Sequence, residues 1–443
     1  MSKSRILFAV VFAVVCVSLA AADTHYVSVN GPNDPGTGRP EDPFRRIQDA
    51  ISAAGTHDIV EISPGLYTGA GNYELDLQGK SITIRSTDPE NPEVVAATVI
   101  DPNGAGRGFL FYSGEDANCM ILGLTVRNAH TGGNGAGLLC YNNSSPTIAN
   151  CVITGNYAGT NGGGLFSQLS NPRVVECTIR GNSASLDGGG FECWSGSPQV
   201  VNCIIVDNKA LNGHGGGIDC FTGEVTIKNC TIVGNSGVYG GALYCWSSRV
   251  TVSNAVIWAN EAQFGSQLGF SADTGSLDLI EYSDIQGGEV GVYDPAGKLT
   301  WGSGNTDDDP CFAHLDFGID SSAWDLHLQS ADGRWEPDSL AWVSDANTSV
   351  CIDAGDPNSD WAGEPWPNGK RINIGAYGGT NQASRHGNPA DFDIDGLVGL
   401  MDYAEFACKW QAQEHCIQDL TNNGVVDSAD LRVFVNNWLW QKE

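Results

Sequence analysis

From residue 151 the chain reads Cys151-Val152-Ile153-Thr154-Gly155-Asn156-Tyr157-Ala158, runs through a loop to Gly162-Gly163-Gly164, and continues Leu165-Phe166-Ser167-Gln168. At Cys177-Thr178-Ile179-Arg180-Gly181-Asn182-Ser183-Ala184 it starts again. The period, about 26 residues, holds from Cys151 to Asn260. Cys151, Cys177, Cys203 and Cys230, closed by Ala255, share one column. Ile153, Ile179, Ile205, Ile232 and Ile257 share another, and Asn156, Asn182, Asn208, Asn235 and Asn260 a third. A period this short marks a solenoid whose units bury their apolar faces only against their neighbours.

The apolar runs inside the unit are short, alternating and β-branched, as in Val225-Thr226-Ile227, and no stretch is long enough for a helix. Stacked short strands joined by turns give an all-β parallel β-helix with rungs about 4.8 Å apart. The Cys column is expected to face inward as small apolar filling. The Asn column is expected at a left-handed turn position, with its amides hydrogen-bonded from coil to coil.

The formal net charge is −30, from 22 Lys and Arg against 52 Asp and Glu. That balance argues against nucleic acid and anionic membranes, and does not favour unassisted binding of a polyanionic polysaccharide. Residues 1–22 carry the marks of a signal peptide: Lys3 and Arg5, the apolar run Ile6 to Leu19, and Ala20-Ala21-Ala22. The run is short for a membrane span and no second one follows, so the expectation is a secreted, extracellular or cell-surface protein. Thirteen of the 14 cysteines lie beyond this segment. Buried thiols are the expectation for the ladders. Cys311 with Cys351 and Cys408 with Cys416 are the candidate bridges.

Residues 23–118 read as an N-terminal cap and first coils. Asp42 to Gly55 has the signals of an amphipathic helix, with Asp42 as N-cap, Pro43 in the first turn and Gly55 as stop. Phe44, Ile47, Ala50, Ile51 and Ala54 form its apolar face, suited to plugging the open end of the solenoid. The run from Tyr26-Val27-Ser28 through Pro43-Phe44 and Ile47 to Pro64-Gly65-Leu66-Tyr67 resembles the opening of pectate-lyase-like β-helix proteins. The repeats of residues 119–290 resemble the right-handed β-helix region of that superfamily, and also the repeats of certain outer-membrane adhesins. Residues 291–385, with Asp309-Pro310-Cys311-Phe312, Cys351-Ile352-Asp353-Ala354-Gly355-Asp356 and Arg371 to Gly379, resemble the closing segment of secreted bacterial β-helix proteins, which implies a C-terminal cap.

Residues 386–443 hold a repeat of another kind. Asp391, Asp393, Asp395, Gly396 and Asp402 return 28 residues later as Asp419, Thr421, Asn423, Gly424 and Asp430, with Asp427 added at position 9 of the second loop. Oxygen ligands at positions 1, 3, 5 and 12 around a glycine at 6 form a Ca²⁺ loop of EF-hand type. Each loop precedes a helix whose aromatics (Phe406 and Trp410; Phe434 and Trp438) lie on one face and pack the two copies together. Two such loops resemble a type I dockerin, which implies a cohesin-like protein or cell-surface component as partner. Leu400-Met401 and Ser428-Ala429 stand before the position-12 residues, where a hydroxyl pair is usual in that family.

Alternation after each glycine triplet sets the outward face. Leu138, Leu165, Phe191, Ile218 and Leu243 point inward, as do Cys140, Ser167, Cys193, Cys220 and Cys245. Leu139, Phe166, Glu192, Asp219 and Tyr244 form one outward column; Tyr141, Gln168, Trp194, Phe221 and Trp246 form the other. Asp187 and His214 precede two of the triplets. Tyr141, Trp194, Phe221, Tyr244 and Trp246 are thus expected to make an aromatic stripe suited to a polysaccharide. Glu192 and Asp219, about 5 Å apart on adjacent rungs, are candidate acid and nucleophile of a retaining glycosidase. The same pair is equally a candidate Ca²⁺ clamp of a lyase, with His214, Arg180 or Lys209 as proton acceptor. The calcium clusters and basic signature of pectate lyases have no counterpart in the repeats. A polysaccharide-engaging enzyme or binder and a non-catalytic adhesin-like surface protein both remain open at this point.

Overall fold

The computed structural model describes residues 22–271, 278–413 and 415–441; the signal-peptide reading therefore falls almost wholly outside the described residues. The body is a parallel β-solenoid. Its coils stack three long sheets, here I, II and III, of 11, 9 and 8 strands, and a six-stranded ribbon of two- to four-residue strands. One coil runs Thr147–Ala149 in sheet I, Val152–Thr154 in sheet II, Tyr157–Ala158 in the ribbon and Leu165–Gln168 in sheet III. The next coil pairs with it in register at every strand: Ile148 on Val174, Ile153 on Ile179, Leu165 on Phe191.

In-register stacking turns each sequence column into a spatial ladder. The Ile153, Cys151 and Leu138 columns, and the Cys140 column with its Ser167, are buried as alternation predicts. All 13 described cysteines are free, so neither candidate bridge forms. The ladder thiols donate instead to the carbonyl two residues back, as Cys151 Sγ does to Ala149 O at 3.2 Å, and burial pushes the thiols of Cys151, Cys177 and Cys203 well up. They are apolar filling.

The Asn ladder forms, but on other backbone geometry than expected. Asn182 Oδ1 accepts from both Asn156 N and Asn156 Nδ2, and Asn208 and Asn235 repeat the pattern. The left-handed residue is the one before each, at Gly155, Gly181, Asp207, Gly234 and Ala259. A second left-handed column, Asn150, Glu176, Asn202, Asn229 and Asn254, precedes the cysteines.

Helix α1 (Ile47–Ala53) starts later than its sequence signals indicate. Phe44 pairs with Val27 of the first strand, which keeps Pro43-Phe44 extended, and Asn72 Oδ1 rather than Asp42 takes the Ile47 N–H. The expected apolar face is nonetheless buried, from Phe44 to Ala54. Helix α2 (Pro92–Ala97) is N-capped by Asn91.

The last rung of sheet I is Leu299–Trp301. From Phe312 the chain forms a strap along the outer face of sheet II. Phe312, Leu326, Leu328, Cys351, Ile352 and Ile374 pack on Val206, Val233 and Val256. Instead of the in/out alternation of the earlier rungs, these strands read Ile204-Ile205-Val206 and Val256-Ile257-Trp258, and their outward apolar side chains need a cover. Beyond the strap, helices α3 (Leu400–Cys408) and α4 (Ser428–Asn436) pack through Phe406 and Phe434, whose rings stack at 5.4 Å. Among the described residues no helix is long and apolar enough to cross a membrane.

Candidate functional site

Sheet III places Glu192 opposite Asp219 and Trp194 opposite Phe221 on adjacent rungs. The aromatic column continues as read: Trp194 meets Phe221 edge-on at 5.2 Å, and Phe221 meets Trp246 at 6.2 Å. Trp246 is 38 % exposed. Tyr141 stands apart, separated from Trp194 by the rung of Gln168, and touches no other ring among the described residues. Three more aromatics extend the strip: Tyr239 and Phe264, which end two ribbon strands, and Tyr293, which pairs with Gly269 of sheet III. Tyr239 stacks on Phe264 at 4.7 Å, and Tyr293 closes on both. Phe264 was findable, since it pairs in register with Tyr239. Tyr293 lies where the period has faded and carries no repeat signal.

The carboxylates are not on the open face. Glu192 is 2 % and Asp219 3 % exposed, which corrects the expectation of a solvent-facing pair. The cause is the turn preceding each strand. Gly188 (φ 62°) folds back over Glu192 and Gly215 (φ 58°) over Asp219, so closely that a Cβ on either glycine would sit 2.6 Å from the carboxylate residue's own Cβ. Glycine is required there both for its left-handed backbone and for the contact. Tyr244, read as a sugar contact, is sealed in the same way under Gly240 and lies beneath the His214 ring at 4.6 Å.

Burial, then the charge of Asp219 and its hydrogen bond, and the charge of Asp187, hold Glu192 well above the usual carboxyl range. Burial and Asp187 lift Asp219 to about 7, against the opposing pull of Glu192 and His214. Glu192 Oε2 and Asp219 Oδ1 have no hydrogen-bond partner. Burial and like charge thus favour a proton shared within the Glu192–Asp219 pair.

Asp187 and His214 are brought together, with Nδ1 3.2 Å from Oδ1, and both are partly exposed. Burial opposes protonation of His214, but Asp187 and Asp219 outweigh it and raise its pKa. Asp187 also belongs to a structural ladder. Asn134 Oδ1 accepts from Asn161 N, Asn161 Oδ1 from Asp187 N, and Asp187 Oδ1 from His214 N at 2.8 Å. Its carboxylate thus fixes the turn of the next coil, which accounts for an acidic group at that place without catalysis.

In the C-terminal segment, ligand atoms of Asp391, Asp393 and Asp395 lie within 4.8 Å of one another. Asp391 Oδ1 is buried without a partner. Burial, then the Asp402, Asp395 and Asp393 charges, raise the Asp391 pKa. An orphaned oxygen among crowded carboxylates fits a hard divalent cation. Asp402 accepts from Phe392 N and Gly399 N, closing the loop onto α3. The second loop is more self-satisfied. Asp419 accepts from Asn423 N and Gly424 N, Thr421 Oγ1 donates to Asp430, and Asp427 N-caps α4.

Residues 86–257 match the family model of the right handed beta helix region. Similar solved structures include the pectate lyase Pel9A (14 % identity, TM-score 0.44, covering 83 % of this chain and 98 % of that one). A rhamnogalacturonan lyase is 13 % identical with a TM-score of 0.35, covering 74 % and 97 %. A pectin methyl esterase of the rice weevil is 13 % identical with a TM-score of 0.26, covering 66 % and 82 %. No curated protein matches the chain.

Proposed function

We propose that this is an extracellular polysaccharide-binding β-helix protein, attached to a partner or cell surface through its calcium-dependent C-terminal segment. The observation that carries the reading is the aromatic strip from Trp194 through Phe221 to Trp246, continued by Tyr239, Phe264 and Tyr293. Rings repeating at rung spacing offer apolar platforms to successive sugars, with Asp187 and His214 as polar rim. Neutral chains suit a surface of this net charge better than uronates. The sealing of Glu192 and Asp219 favours binding over bond cleavage. Helix α1 acts as the N-terminal cap.

Retention on xylan, β-glucan, galactan and polygalacturonate in affinity electrophoresis tests this. Retention by one neutral polymer is expected, weakened at least tenfold by Trp246→Ala and by Trp194→Ala, about 1.4 kcal/mol each. New reducing ends that vanish in His214→Ala would replace the binder by an enzyme. Retention untouched by both Trp changes would move the glycan off this face.

For the tail, Ca²⁺ is held by Asp391, Asp393, Asp395 and Asp402 in the first loop, and by Asp419, Thr421, Asn423, Asp427 and Asp430 in the second. The ion supplies the positive charge that the clustered carboxylates lack. Leu400 and Met401, 75 % and 67 % exposed, lie beside Tyr403 as an apolar docking patch for a cohesin-like or surface protein. Ca²⁺ at 100 times its dissociation constant should stabilise this segment by about 2.7 kcal/mol. Thermal unfolding of α3 and α4 should therefore move upward with Ca²⁺ relative to chelator, and Asp391→Asn should remove most of the shift. Identical curves with and without the ion would end the calcium reading.

A further inference from the structure

Sheet II carries a second, separate feature. Its outward column Thr125, Val152, Thr178, Ile204, Thr231 runs in register across five rungs. Both ends are covered by the protein's own chain. Thr125 Oγ1 donates to Val95 O of α2, and Thr231 Oγ1 accepts from Ala376 N of the strap. The three rungs between floor a cleft of about 630 Å³, walled by residues 89–95 on one side and 376–382 on the other.

The left-handed corner beside this floor shows what such a surface holds. At three successive rungs its amides bind the strap. Asn202 Nδ2 donates to the carbonyls of Ala376 and Gly378 at 2.9 and 2.7 Å. Asn229 Nδ2 reaches Gly378 O, and Asn254 Oδ1 accepts from Asp356 N. At the other end of the corner, Gly123 is packed against Pro89. Asn150 and Glu176, the two corner residues in between, line the cleft and have no side-chain hydrogen bond within the described residues.

We propose that this cleft binds an extended peptide segment of a partner protein, carrying a lysine or arginine that pairs with Glu176. The corner already holds polypeptide backbone on the rung after Glu176, by amide-to-carbonyl bonds of the kind the Asn150 amide is placed to offer. The only charged residues of the lining are Glu90 and Glu176, so a cationic side chain is complementary. A glycan is disfavoured because the single aromatic ring of the lining, Tyr377, stacks on His327 at 3.6 Å and is no free platform. The site is distinct from the aromatic strip on sheet III and does not depend on that reading.

The test pans a random phage-displayed nonapeptide library against the full chain and measures fluorescein-labelled versions of the selected peptides by anisotropy. Selected sequences should be enriched in lysine or arginine. They should lose at least 20-fold in affinity to Glu176→Lys and to Thr178→Trp, which fills the floor. Glu176→Asn keeps the residue type that neighbouring corner positions use, and should cost about tenfold without altering the melting curve. An unchanged far-UV circular dichroism spectrum and urea midpoint certify the fold of each variant. Failure to select peptides, selected peptides indifferent to all three changes, or a neutral hexasaccharide displaced by Glu176→Lys would each overturn the proposal.

Discussion

Replacing Asn208 by alanine should destabilise the solenoid by about 4 kcal/mol, the largest effect expected of any single truncation in the ladders. Its Oδ1 accepts from Asn182 N and Asn182 Nδ2 at 3.0 Å, and its Nδ2 donates to Ile179 O and Asn235 Oδ1 at 2.9 Å. Truncation leaves the Asn182 N–H and the Ile179 carbonyl without those partners in a site with no access to water. Each orphaned buried group costs about 1–3 kcal/mol, and no replacement solvent reaches it. Leucine at 208 would fill the volume and repair neither group, so it should do no better. Gln168→Ala, a half-buried residue on the outer face, should fall within about 0.5 kcal/mol. Urea unfolding followed by far-UV circular dichroism measures all three. An Asn208→Ala midpoint equal to that of Gln168→Ala would show that the ladder contributes no stability.

The second large effect is a fall in stability as pH rises from 5 to 8. A carboxyl whose pKa is raised on folding binds its proton more tightly in the folded state. The stability it contributes is complete below the unfolded value and is lost as pH climbs towards the folded one. For Asp219 the window runs from 3.8 to about 7, worth on the order of 4 kcal/mol, and Glu192 moves in the same direction. Asp58, Asp116 and Asp325 have lowered pKa values and oppose this only in strong acid, where they become protonated. Glu192→Gln keeps a donor towards Asp219 while removing one ionisation. It should flatten the slope and raise stability at pH 8 by about 2 kcal/mol. Urea midpoints at pH 5, 6.5 and 8 decide it: a level wild-type profile, or a variant as steep as wild type, would mean the pair is not sharing a buried proton.

The sequence reads well wherever one coil repeats the environment of the last. Ile153, Cys151 and Asn156 each meet their own kind on the next rung, so a column in the text is a ladder in space. It reads poorly where a residue's surroundings come from elsewhere. Alternation correctly turns Glu192 and Tyr244 outward, but what covers them is the path of the Gly188 and Gly240 turns, which no spacing encodes. The left-handed backbone falls on Gly155 and not on Asn156, because the period identifies a column and not its dihedral angles. The strap had a signal in the apolar outward residues Val206, Val233 and Val256, which demand a cover, yet nothing in them names residues 312–374 as the partner.

That strap changes how the molecule would carry tension. It is tied to coil after coil by Ser321 on Asp207, Ala376 on Thr231, Asp356 on Asn254 and Cys351 on Asp284. A pull on the C-terminal segment reaches the solenoid through this lengthwise splint, spread over several coils at once. A bare stack would be peeled open one turn at a time from its last rung. Here the last four coils, from Asp207 to Asp284, are gripped together, and none can leave before the others.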